Sequence, residues 1–148
     1  MPVWTVLMLL SGALFTGGAV WYAWDRSVVW RTLSLAEFAP DFRRSMHRGD
    51  PAQPILLVAC LASTVGFGVA AGGTPRLLAF AAAALLAALL PLALLVLVPV
   101  QRAFDRQPEG QLPEGAAAMR ERWLRGHLWR ALTAATAFAL IALAVAVR

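Results

Sequence analysis

The sequence predicts an all-α integral membrane protein, an antiparallel four-helix bundle forming one domain over residues 1–148, and three observations carry that expectation. The composition is 60% hydrophobic and only 14% charged, whereas soluble domains run at roughly 45–50% apolar and about 25% charged. Four stretches, 1–24, 51–75, 77–101 and 131–147, contain no charged side chain, and a helix of about 20 apolar residues is what the hydrocarbon core of a bilayer requires. The second and third stretches are separated by Ala71-Gly72-Gly73-Thr74-Pro75. That connector has room only for a tight turn, so its two helices are antiparallel neighbours.

The first helix is expected at about 3–24. Trp4 marks one of its ends and Trp21, Tyr22 and Trp24 the other, as aromatic residues do at membrane interfaces. Gly12, Ala13, Gly17 and Gly18 supply a packing surface. The segment lacks a basic leader and a small-residue cleavage site, so it reads as a retained helix. The second helix, about 53–71, holds Gly68 and Gly72 at GxxxG spacing, which predicts a close helix contact, and Cys60 as a packing residue. The third, about 76–99, contains Pro91, which removes a backbone donor and should kink it. The fourth, about 116–147, must begin before its short charge-free stretch and so carries His127 and Arg130 into the headgroup level.

The two long connectors, 25–52 and 100–115, emerge on one side. Within the first, Phe42 and Met46 are four apart and the arginines lie elsewhere around the axis, so 40–49 reads as a short interfacial helix. It would anchor on anionic lipid, or act as a lid that brings His47 toward His127. All 13 basic residues are arginines, and only Arg76 and Arg148 fall away from the connector side. The tendency of basic residues to stay inside places both connectors in the cytoplasm and both termini outside a bacterial inner membrane. Net charge of +5 on so apolar a background points to membrane lipid as a partner and away from nucleic acid. The Gly and Ala helix faces offer packing to a second copy. A single cysteine excludes an intrachain disulfide, and the absence of Asp, Glu and Lys from the four stretches argues against a proton-coupled exporter.

Chemistry concentrates where the fourth helix begins. At 100° per residue Trp123, His127 and Arg130 share one face. A neutral imidazole can take a proton, a guanidinium one turn deeper can stabilise the resulting oxyanion, and an indole offers a flat wall. Ordinary snorkelling of Trp, His and Arg at an interface accounts for the same pattern. His47 and His127 with Asp105, Glu109 and Glu121 lack the spacing of a metal set, so no metal site is predicted.

The small-residue first helix, the Gln53-Pro54 start of the second, the third ending at Val98-Pro99-Val100-Gln101, and above all Arg122-Trp123-x-x-x-His127-x-x-Arg130 before an Ala/Leu-rich last helix resemble the anthrone oxygenase-like family of small membrane proteins over essentially the whole chain. The resemblance implies oxidation of a lipophilic planar phenolic compound. On that reading His127 and Arg130 are the catalytic pair, and Trp123, Trp21, Trp24 and Gln101 contact the substrate, although Gln101 stands where an Asn-type residue is the expected one. The cofactor is left unknown. The competing reading is a non-enzymatic small membrane subunit whose arginine-rich cap docks lipid or a partner protein.

Overall fold

The computed structural model describes residues 3–49 and 51–148. The described chain is helical with no strand, and four of its helices are long and apolar enough to cross a membrane. We number the helices α1 (Val3–Thr32), α2 (Leu35–Gly49), α3 (Ala52–Ala70), α4 (Gly73–Asp105) and α5 (Ala116–Ala146). The four long helices form a closed ring in which α1 packs on α3 and α5, and α4 packs on the same two. Neighbours run antiparallel: Gly12 of α1 lies against Cys60 of α3 and Phe138 of α5, while Gly66, further along α3, meets Trp4 near the start of α1. The fold is therefore the all-α membrane bundle that composition and charge-free spacing predict.

α1 and α4 are longer than those stretches. α1 continues past Trp24 to Thr32 and α4 past 99 to Asp105, so both extend beyond the apolar layer into the polar cap. Each passes through a π-turn, Tyr22–Arg26 in α1 and Ala93–Leu97 in α4. The second follows from Pro91, whose missing N–H breaks the regular ladder. Two residues later the amide of Ala93 reaches the carbonyls of both Leu89 and Leu90. Pro91 thus resets the backbone register within one continuous rod.

Small residues set the helix contacts. A Cβ at Gly68 would sit 3.3 Å from the Phe80 ring and 3.4 Å from Ala79 across α4, so close packing there depends on glycine. Gly72 meets nothing within 4 Å. It precedes α4 in extended backbone, and the expected two-glycine contact is a one-glycine contact.

α2 departs from its expected setting. Phe38, Ala39, Phe42 and Met46, its apolar face, are buried in the protein instead of lying against lipid. Phe38 and Phe42 stack at 5.0 Å, and Phe42 meets Phe104 of α4 at 5.4 Å and Trp123 of α5 at 5.1 Å. Trp30 completes the cluster and donates from Nε1 to Asp41 over 2.7 Å. Five large rings from four helices form a second core beneath the aliphatic one, and this drives α2 inward. Ser34 and Glu37 form a reciprocal capping box at its start. The Ser34 hydroxyl and then its amide hold the Glu37 carboxyl below the usual range.

Candidate functional site

α5 brings Trp123, His127 and Arg130 onto one buried face, at 1%, 2% and 9% exposure. Trp123 and His127 stack, their ring centroids 4.6 Å apart and their planes 9° from parallel. Tyr22 meets the imidazole edge-on at 5.6 Å. Carbonyl oxygens only accept, so the 3.2 Å contact to Ala19 makes His127 Nε2 the donor. A neutral imidazole in that tautomer keeps its lone pair on Nδ1, which is buried without a hydrogen-bond partner, as is Trp123 Nε1.

Arg130 turns away from these rings. Its guanidinium donates to Gln53 Oε1 over 2.5 Å and lies 5.3 Å over the Phe15 ring. Gln53 reaches it because Gly18 leaves its space open: a Cβ there would collide with the Gln53 amide nitrogen. Arg130, Gln53 and Gln101 are the polar groups of a cavity of about 190 Å³ whose other walls are aliphatic residues of α3 and α4 and the Phe15 ring. Val58, Leu90 and Leu94 line it and are also exposed on the bundle's outer surface. The cavity therefore opens sideways between α3 and α4, toward the lipid, and ends at the guanidinium. Ala93, Leu94 and Leu97 of the α4 π-turn form part of its wall.

The residues singled out from sequence thus fall in three places. Arg130 and Gln101 line the cavity, Gln101 also donating to Met46 Sδ at 3.0 Å. Trp123 and His127 form a buried stack that is not part of its lining. Trp21 and Trp24 are 62% and 82% exposed and are not brought to either. His47 pairs with Asp105 at 3.3 Å on the exposed cap, so α2 does not carry it to His127. Gln53 is the residue sequence reasoning missed. Its signal was a polar amide one residue before a proline in an otherwise apolar span. Among the described residues no three His, Cys, Asp or Glu side chains converge as metal ligands would.

A family model described as anthrone oxygenase matches residues 42–140, more than half of the chain. The chain belongs to the anthrone oxygenase family. At that level it is an oxygenase-like membrane protein. The matched span holds Gln53, Gln101, Trp123, His127 and Arg130, and with them α3, α4 and most of α5, but not the α1 residues that close the site. No curated protein and no solved structure matches the chain.

Proposed function

We propose that this protein oxidises a lipophilic planar aromatic compound of the anthrone type, which enters the cavity from the bilayer between α3 and α4. The observation that carries this reading is a lipid-facing apolar cavity ending in a buried guanidinium. Ligand sites typically combine apolar walls with a few fixed polar groups. An anthrone ketone oxygen placed at Arg130 becomes an enolate oxygen when the opposite methylene carbon loses a proton, and the cation stabilises that charge. His127 is the base we assign; its unpartnered Nδ1 lies behind the cavity wall, so on this reading the proton reaches it only when the Trp123–His127 stack opens toward the cavity. Dioxygen then accepts electrons from the carbanion. One oxygen atom becomes the second carbonyl and the other leaves as water with the two methylene hydrogens.

Family membership and the cavity support this assignment together. The measurement is quinone formation from anthrone under oxygen by the full chain in nanodiscs. Arg130→Gln should lower kcat/KM by roughly 10²-fold, the scale on which loss of one oxyanion donor acts. His127→Gln should lower kcat with little change in KM. Turnover by Arg130→Gln at the parent's rate would remove the cavity from the reaction. A parent that neither binds nor oxidises anthrone would leave the non-enzymatic subunit as the better reading.

A further inference from the structure

A second concavity, of about 280 Å³, lies where α1 leaves the apolar layer. Its walls are Trp21 just before the α1 π-turn, Tyr22 and Arg26 at the two ends of that turn, and Arg44, Ser45 and Arg48 from α2. It does not share a lining residue with the α3–α4 cavity. Three guanidiniums thus converge on one recess. One of them is already fixed: Arg26 donates to Ser45 Oγ at 3.3 Å and lies 3.6 Å from Asp41. The Tyr22 hydroxyl donates to the Ser45 carbonyl at 3.1 Å and joins α1 to α2 across the recess. Arg44 and Arg48 are exposed. Trp21 and Trp24, the two indoles left outside the catalytic reading, stand exposed on the same stretch of α1.

We infer that this recess binds the phosphate of an anionic phospholipid in the connector-side leaflet. The charge is complementary, since guanidinium forks match phosphate oxygens. The depth is right as well, because exposed indoles next to the end of an apolar helix mark the headgroup level. A soluble phosphate shares the first feature and makes no use of the second. A lipid uses both, with its phosphate among the arginines and its glycerol and upper chains beside Trp21. α2, whose apolar face is buried in the protein, then meets the membrane through Arg44 and Arg48 instead of through Phe42 and Met46.

The test uses the full chain in detergent with either phosphatidylglycerol or phosphatidylcholine added, and reads lipid adducts by native mass spectrometry and the Tm. Phosphatidylglycerol should be retained in preference and should raise the Tm, and Arg44→Gln with Arg48→Gln should weaken its retention by roughly tenfold or more. Arg102→Gln with Arg106→Gln removes the same charge outside the recess and should retain the lipid. If the glutamine pair does not fold, Arg44→Lys with Arg48→Lys carries the test: weakened retention supports the site and unchanged retention overturns it. Equal retention of phosphatidylcholine, or equal loss in the Arg102/Arg106 pair, overturns the site. Full displacement of the lipid by millimolar inorganic phosphate assigns the recess to a soluble anion and overturns the lipid.

Discussion

Gly18 and Gln53 form a single device on neighbouring helices, and their substitutions should behave as one. The Gln53 amide occupies the volume a Cβ at position 18 would need, and the same side chain accepts from Arg130. An amide at the end of a flexible chain can swing aside, so Gly18→Ala should cost little Tm while separating Gln53 from the guanidinium. A hydrogen bond to a charged group contributes about 1.5–3 kcal/mol, so anthrone turnover should fall by roughly tenfold or more. Gln53→Ala should give a similar loss and the double variant no more than either, since both remove one contact. Gly17→Ala, where a Cβ would meet nothing within 4 Å, should leave turnover unchanged. Independent, additive losses would show that Gly18 does not act through Gln53. The shared face of Trp123, His127 and Arg130 on α5 was legible from spacing. Which neighbour that face meets was not legible. Three residues of offset turn Arg130 toward α3 and the cavity and leave His127 against Ala19 and Tyr22 of α1.

The two glycines of the GxxxG pair test how contacts are made between elements. Gly68 faces Phe80 and Ala79 across the α3–α4 interface, whereas Gly72 sits beyond the end of α3 with open space around it. Gly68→Leu forces extra methylenes into a packed contact, which costs about 1–3 kcal/mol, and should lower the Tm in detergent by several degrees. Gly72→Leu should leave it nearly unchanged. Equal destabilisation by both would return the pair to a shared helix interface. The positions of the four spans were legible because charge is excluded from hydrocarbon, and that exclusion shows directly in the residues. Helix ends were not, since Arg26, Arg102 and Asp105 continue α1 and α4 once the chain reaches polar surroundings. The setting of α2 was legible only as amphipathicity. A period of 3.6 shows an apolar face at Phe38, Phe42 and Met46 without saying whether lipid or protein covers it, and Trp30, Phe104 and Trp123 settle that from distant parts of the sequence.

At the scale of the molecule, arginines gather in and tie together the polar cap. Arg43 donates to the Gln107 carbonyl at 3.0 Å, and Arg120 donates to the carbonyls of Trp30 and Leu33 at 3.3 and 2.8 Å, so arginines tie the two long connectors and the start of α5 into one polar unit. At the opposite end Arg76 closes α3 by donating to the Ala71 carbonyl at 2.8 Å, and Arg148 lies over the Phe67 ring at 5.4 Å. From the tendency of arginine-rich loops to stay on the cytoplasmic side we propose that the cap faces the cytoplasm, with the α3–α4 turn and both termini outside. A Cys60→Ala background allows single cysteines to report this. Glu109 and Thr74 are both exposed, and Thr74 avoids the positive φ of +54° at Gly73, where a side chain would strain the backbone. Applied to intact cells, an impermeant maleimide should label Thr74→Cys at once and Glu109→Cys only after permeabilisation. The reverse pattern would invert the orientation and move the lipid-binding recess to the outer leaflet, while the bundle and its cavity would stand, since neither depends on which side the cap faces.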